Sequence, residues 1–213
     1  MMQKIHIVLF LSMLISFAAC KPFATFQQKG LYENITSVDV NSIDGFNAVY
    51  IFKDDFDKSV WVSPETQCVS MQTDAKHVYA DKNALHIKWD KIKGGCKWIG
   101  IGFGWNNWVA KDMLDLIENC AVQMQVKSAK GSFSNLPVAF AFEDYSGVQA
   151  YYGYEKSLST SKFNDSTWTS LTIPLSKFPF KEKEFNAESV KQFMIQLEGD
   201  GDIYLDNIKL IKL

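Results

Sequence analysis

The residues from Gly94 to Trp108 combine flat aromatic side chains with bare backbone. They read GGCKWIGIGFGWNNW and include three of the chain's six tryptophans and five of its twelve glycines. Strict alternation, typical of a strand, places Ile99, Ile101, Phe103 and Trp105 on one face and Trp98, Gly100, Gly102 and Gly104 on the other. Glycine inside a strand often marks close approach of a ligand or another backbone. We therefore predict a shelf for a flat ligand, edged by Trp98, Trp105 and Trp108. The alternative is that these tryptophans are core, because tryptophan is highly buried on average.

Amides, carboxylates and rings stand opposite the apolar residues in several other alternating segments. They are Gln123, Gln125, Glu143, Tyr151, Gln196 and His86. If these segments share one sheet, the polar side chains lie beside the glycine strip. Glutamine and glutamate can engage sugar hydroxyls, which both donate and accept hydrogen bonds, and the CH faces of a sugar stack on aromatic rings. The pattern predicts a poly- or oligosaccharide ligand; the alternative is an ordinary solvated sheet face, which is also polar.

A catalytic function has one candidate pair of residues, Glu143 and Glu198. Glycosidases hold two carboxyl groups about 5–5.5 Å apart for retention or 6.5–9.5 Å apart for inversion. The sequence contains no nucleophile elbow, phosphate loop or dinucleotide fingerprint, so we predict no organic cofactor. We expect a non-catalytic protein, with glycoside hydrolysis by Glu143 and Glu198 as the lesser alternative.

Three cysteines, Cys68, Cys96 and Cys120, follow the first twenty residues. Their odd number allows at most one internal disulfide and leaves at least one thiol. Their spacing has no metal-binding pattern, and only His77 and His86 accompany them. The sequence does not decide which cysteines pair.

Short alternating runs separated by turn residues must position all of these side chains. Strands are predicted at Val49–Lys53, Val60–Val62, His77–Ala80, Leu85–Asp90, Trp98–Phe103, Ala121–Lys127, Leu136–Glu143, Val148–Tyr154, Thr167–Leu175, Val190–Leu197 and Asp202–Ile211. Only Lys111–Glu118 is a helix candidate. Many short strands without helical periodicity predict an all-β protein, an antiparallel β-sandwich with at most one short helix.

The first twenty residues have the features of an export signal. Lys4 precedes the short apolar run Ile5–Phe17, and the small residues Ala18 and Ala19 precede Cys20. This ending resembles the lipobox of bacterial lipoproteins, which implies cleavage before Cys20 and a lipid on its sulfur; the alternative is an ordinary secretory signal. We predict a signal peptide at 1–19, a lipid-anchored tether at 20–45 and a β-sandwich domain at 46–213. The expected location is the bacterial cell envelope, anchored to the outer membrane in either leaflet.

The charge of the chain argues against nucleic acid as a partner. The 213 residues carry a net charge of −2, and the 22 lysines, which are the only Lys or Arg residues of the chain, are spread without a basic patch. This length fits one domain together with an export segment.

Five motifs in order resemble a β-sandwich carbohydrate-binding module of the galactose-binding-like, or family 11, kind. They are ALHIKW at 84–89, WIGIGF at 98–103, FED at 142–144, WTSLTIPLSKF at 168–178 and IYLDNI at 203–208. The resemblance covers Val49 to Leu213 and implies a jelly-roll fold that captures glycan on a sheet face or a loop cluster. The sandwich of complex I intermediate-associated proteins also looks similar. A structural or protein-binding envelope lipoprotein, with envelope proteins as partners, is therefore the alternative function.

The same resemblance implies a structural Ca²⁺ between an early acidic residue and the last strand. Asp206 matches the last-strand position, and Asp54 and Asp55 are the early candidates, of which we take Asp55. Carboxylate oxygens are the hard ligands that Ca²⁺ prefers. The alternative is that Asp206 caps a turn or a bulge.

Overall fold

Thirteen strands, one short helix and three 3₁₀ turns make up the residues that the computed structural model describes, which are 43–55, 59–133, 136–153 and 163–213. The strands are β1 Tyr50–Phe52, β2 Val60–Val62, β3 Val69–Asp74, β4 Ala84–Asp90, β5 Gly100–Phe103, β6 Cys120–Ser128, β7 Ser132–Phe133, β8 Val138–Asp144, β9 Gln149–Gly153, β10 Phe163–Asn164, β11 Thr169–Pro174, β12 Val190–Leu197 and β13 Asp200–Lys212. Helix α1 is Lys91–Gly94, and the 3₁₀ turns are Leu114–Leu116, Leu175–Lys177 and Ala187–Ser189. The predicted all-β fold is confirmed.

Two antiparallel sheets carry most of these strands. The first sheet has the order β11-β6-β13-β4-β3, with β1 also paired to β13. The second sheet has the order β2-β5-β12-β8-β9, and β7 pairs with β10 separately. Consequently β4 and β6 belong to a different sheet from β5, β8, β9 and β12.

The core contains the apolar faces of both sheets. Phe52 of the first sheet meets Phe103 of the second edge to face, with ring centroids 6.4 Å apart. Phe140 and Phe193 stack within the second sheet at 6.0 Å. The apolar residues that alternate with polar or small ones in β5, β6, β8 and β12 are buried, for example Ile101, Val122, Phe140 and Phe193. Period-two patterning therefore identifies the core side of each strand correctly.

The segment 75–83 was predicted to hold a strand at His77–Ala80, and it is a loop instead. Its backbone N–H groups donate to carboxylates rather than to a neighbouring strand: His77 N–H donates to Asp74 Oδ1 at 2.7 Å, and Tyr79 N–H donates to Asp206 Oδ2 at 2.8 Å. The strand lies earlier, at β3, where only one face has apolar residues. The Lys111–Glu118 helix candidate contains only the 3₁₀ turn Leu114–Leu116.

The cysteine pairing that the sequence left open is now assigned. Cys68 and Cys96 form a disulfide, and Cys120 is a buried free thiol. None of the helices among the described residues is long and apolar enough to cross a membrane. The predicted signal peptide, Cys20 and nearly all of the predicted tether lie outside the described residues.

Candidate functional site

Three tryptophans lie flat against three glycines on the outer face of the second sheet. Trp98 covers Gly100, Trp61 covers Gly102 and Trp108 covers Gly104. A Cβ atom on any of these glycines would collide with the indole ring, so the bare backbone is needed for the rings to lie down. The Trp61 and Trp98 rings are 6.0 Å apart with planes inclined by 28°. All three rings are half-buried, and together they form what we call the tryptophan strip.

Strand register continues this face beyond the tryptophan strip. One row of paired residues crosses four strands as Gly102, Met194, Ala141 and Tyr151. The neighbouring row is Gly100, Gln196, Ala139 and Gly153. Because Ala139 and Ala141 are small, the middle of the face is low between the tryptophan strip and Tyr151.

Glutamine side chains hold two of the indoles in place. Trp61 Nε1–H donates to Gln192 Oε1 at 2.7 Å, and Trp98 Nε1–H donates to Gln196 Oε1 at 3.1 Å. Gln196 in turn donates to Glu198, whose other oxygen accepts from Lys91 Nζ at 2.6 Å. With their N–H groups occupied, these indoles present ring faces to solvent rather than donors.

A second hydrogen-bonded group lies at the opposite margin. Glu143 accepts from Lys191 Nζ at 2.6 Å and from Gln149 Nε2 at 2.7 Å. Tyr151 donates its hydroxyl proton to Gln149 Oε1 at 2.8 Å. Burial raises the pKa of Glu143, but the hydrogen bonds from Lys191 and Gln149 outweigh that effect, so the net pKa shift is downward. Glu143 is therefore an ionised acceptor at neutral pH.

The chemistry of this face matches a neutral polyhydroxylated ligand. Half-buried aromatic rings offer apolar faces for stacking on CH groups. Amides and an ionised carboxylate within the same face offer both donors and acceptors for hydroxyls. Its two carboxylates, Glu143 and Glu198, are each paired with a lysine.

Comparison with known proteins decides the family. The family model "Carbohydrate binding domain 30" matches residues 48–212. The chain belongs to this family. No curated protein matches the chain significantly.

Solved structures agree with the family 30 assignment. The domain is similar to a family 30 carbohydrate-binding module with a TM-score of 0.62 and 16% identity, over 76% of this chain and 86% of that one. It is similar to the family 30 module of a cellulosomal cellulase of Clostridium thermocellum, with a TM-score of 0.58 and 16% identity over 76% and 95% of the two chains. A family 11 module of the same organism, in complex with a beta-1,3-1,4-mixed-linked tetrasaccharide, matches with a TM-score of 0.50 and 13% identity over 76% and 94%. At these identities the likeness shows the fold, and the predicted carbohydrate-binding sandwich is confirmed.

Five of the residues predicted from the sequence share the outer face of the second sheet in this family 30 domain. They are Trp98, Trp108, Glu143, Tyr151 and Gln196. Trp105 does not belong with them, because its ring is only 3% exposed in the core and its N–H donates to Ala48 O at 2.8 Å. Its position on the apolar face of the alternating stretch already indicated this.

Gln123, Gln125 and His86 are also separated from the face, because they lie on the first sheet. Gln123 donates to Thr172 at 3.4 Å, and Gln125 is buried. His86 lies 2.7 Å from Asp202 Oδ1. The prediction that these residues join the glycine strip in one sheet is wrong, because alternation assigns a face within a strand but not the sheet to which the strand belongs.

Sequence reasoning missed Trp61, Gln149 and Gln192 as members of the site. No local sequence pattern predicts that Trp61 belongs to the site; it lies between two valines in a three-residue strand. It reaches Gly102 only because β2 pairs with β5. Gln149 and Gln192 lie on the polar faces of their strands. Both are paired in register with Glu143, which was predicted to belong to the site.

The pair proposed for hydrolysis, Glu143 and Glu198, does not have the required spacing. Glu143 pairs in register with Gln192 of β12, and Glu198 lies six positions after Gln192 in the chain. At about 3.4 Å per residue, the two backbones are roughly 20 Å apart, well beyond the separation of glycosidase carboxylates. Each carboxylate is also paired with a lysine.

The implied Ca²⁺ can be compared with the residues around Asp206. Asp206 is fully buried, its Oδ1 has no hydrogen-bond partner, and neither has the buried Oδ1 of Asn207. Burial raises the pKa of Asp206, and the charge of Asp54 adds to this effect. Asp55 is exposed and accepts from Asn83. The described residues contain no group of three or more His, Cys, Asp or Glu side chains able to hold a metal. Ca²⁺ stays a prediction that rests on one free carboxylate oxygen and one amide oxygen.

Proposed function

We propose that this family 30 domain binds a polysaccharide chain on the outer face of its second sheet, with the tryptophan strip as the stacking platform. The observation that carries the proposal is the seating of Trp98, Trp61 and Trp108 on three glycines. Gly100 and Gly102 lie in β5 and Gly104 directly follows it; at two residues apart in extended chain, neighbouring glycines are spaced by about 6.8 Å. A row of flat rings on this scale suits a chain of linked sugar rings, each presenting an apolar face.

Polar side chains next to the strip supply the hydrogen bonds. Gln196 and Gln192 orient the indoles, and the half-buried Gln196 keeps unused hydrogen-bonding capacity for hydroxyls. Across the low middle of the face, Glu143, Gln149 and Tyr151 form a second polar edge. Because these groups are fixed to one another before ligand arrives, little ordering entropy is lost on binding.

A β-linked glucan is the first ligand to test. The family 11 module with a similar fold was solved with a beta-1,3-1,4-mixed-linked tetrasaccharide. An extended chain of this class exposes flat ring faces in series, which is the shape that the tryptophan strip offers.

We also propose that the domain is exported and held at the bacterial envelope by a lipid on Cys20. The lipobox-like end of the N-terminal segment supports this proposal. The Cys68–Cys96 disulfide supports export, because disulfides form and persist mainly in oxidising compartments. The domain would then capture glycan close to the membrane.

Binding of the soluble domain, residues 41–213, to immobilised polysaccharides tests the function. Mixed-linked β-glucan, cellulose, xylan and agarose serve as ligands, and tryptophan emission reports stacking. We expect retention on β-glucan with a shift of emission, and loss of both in the W61A variant at an unchanged melting temperature. Folded protein that binds none of these polymers would overturn the proposal and favour the protein-binding alternative, which pull-downs from envelope extracts would then address.

A further inference from the structure

The turn that carries Trp108 has an unusual backbone. Asn106, Asn107 and Trp108 have φ values of 59°, 53° and 63°. Asparagine enters this left-handed region more readily than other residues, but a bulky residue there is an outlier. Such conformations persist only where the surroundings hold them, and they cluster at ligand sites.

The ammonium of Lys111 binds the backbone of this turn. Lys111 is 3% exposed, and its ammonium donates to the carbonyls of Trp105 at 3.0 Å and Val109 at 2.7 Å. These two carbonyls are the two ends of the turn. A third bond runs to Lys191 O of β12 at 3.1 Å, and the ammonium lies 4.3 Å from the Trp105 ring centroid. All three donors of one buried cation thus tie the turn to the sheet.

A buried anion fixes the adjoining turn in a matching way. Asp144 accepts from the backbone N–H groups of Ser146 at 2.8 Å and Val148 at 3.0 Å. This turn carries Tyr145, whose hydroxyl donates to the Trp108 carbonyl. Lys111 and Asp144 both pair through their backbones with Val190 of β12. The buried charges of Lys111 and Asp144 therefore lie on either side of Val190, and they fix the two turns that meet at Trp108.

We infer that Lys111 is the positioning residue for Trp108 and that it sets the end of the tryptophan strip before ligand binds. The structural part of this inference, the position of Trp108, does not depend on the proposed function. Its consequence, tighter glycan binding, rests on the proposed function. Without the ammonium, the turn loses the contacts that join its two ends to β12, the left-handed conformation of Trp108 becomes less stable, and the indole leaves Gly104. Ligand must then order the turn, and the cost of that ordering lowers the affinity.

Amide hydrogen exchange of the ligand-free domain tests the positioning directly. Trp108 N–H donates to Gly104 O at 2.8 Å, and Val109 N–H donates to Asn106 O at 3.1 Å. In the K111M variant we expect these two amides to exchange at least about tenfold faster, while the amides of β6 keep their protection. K127M, a change at a half-buried lysine of the first sheet, is the matched control and should leave the turn unchanged. Unaltered exchange in K111M would overturn the inference. If K111M does not fold, K111Q, whose neutral amide NH2 keeps two of the three donors, is measured in the same way.

A double-variant comparison separates positioning from general destabilisation. We expect K111M to weaken glucan binding about five- to tenfold in the wild-type background and to have no further effect in the W108A background. Equal losses in both backgrounds would overturn the inference, because Lys111 would then act independently of Trp108. If wild-type protein binds no glycan but K111M frees the turn amides, the proposed function fails and the positioning role stands.

Discussion

Trp61 and Trp108 have half-buried rings on the outer face of the second sheet, whereas Trp105 is enclosed in the core. We predict that W61A and W108A each weaken glucan binding by about 30-fold, since a central aromatic contact in an interface is worth about 2 kcal/mol. Their melting temperatures should change little. W105A should instead lose about 3–5 kcal/mol of stability through cavity formation. Titration calorimetry and thermal melts distinguish the two outcomes, and normal binding by W61A would remove the tryptophan strip as the site.

Lys111 also predicts a pH dependence of stability. Burial lowers the pKa of its ammonium from the usual 10.5 to about 8. Between these two values the unfolded chain binds more protons at this position than the folded one, so the free energy of unfolding contributed by Lys111 rises with pH. We expect urea denaturation from pH 7.5 to 10 to give a more positive slope for wild type than for K111M. The difference between the two proteins removes the opposing effect of Cys120, whose pKa is raised by burial. Parallel curves would contradict the prediction.

Alternation predicts the position of a residue when that position depends on its own strand, and fails when it depends on which strands pair. Ile99, Ile101 and Phe103 were placed together on the apolar face, and all three are buried, because their direction depends only on the pleat of their own strand. Gln123 was misplaced because the partners of its strand are set by long-range pairing. Trp61 was missed for the same reason, since its contact with Gly102 exists only once β2 lies beside β5.

At the scale of elements, the Cys68–Cys96 disulfide joins the segments that carry two rings of the tryptophan strip. Cys96 lies two positions before Trp98, and Cys68 follows the strand that holds Trp61. We predict that the C68S/C96S variant loses about 3 kcal/mol of stability, because the bond closes a loop with a sequence separation of 28. Its glucan affinity should fall even at temperatures where it stays folded. C120A is the control, and a double variant with unchanged affinity would show that the strip does not depend on the bond.

Asp206 of β13 binds the backbone of the loop 75–83, and this is the place where we expect Ca²⁺ to act if it binds. Asp206 Oδ2 already accepts from the N–H groups of Tyr79 and Ala80, while Oδ1 has no partner. A cation that binds only the folded state raises the melting temperature. We expect chelator to lower the melting temperature of wild type and added Ca²⁺ to restore it, with no response in D206N. Identical melts with and without chelator would leave Asp206 as a loop cap only.

At the scale of the whole molecule, the proposed lipid anchor would determine where the proposed glycan-binding face can work. Cys20 precedes Phe46, the start of the predicted domain, by 26 positions, and a fully extended chain of that length spans at most about 90 Å. The start of the domain would therefore stay within that distance of the membrane. We predict that the full chain expressed in a bacterium partitions into the detergent phase of a Triton X-114 separation, while C20A, which lacks the acylated sulfur, partitions into the aqueous phase. Both proteins should bind β-glucan equally, because the described strands of the second sheet all lie between Val60 and Leu197, far along the chain from Cys20. Wild-type protein found in the aqueous phase would indicate an ordinary secretory signal, and the domain would then act as a free exported module.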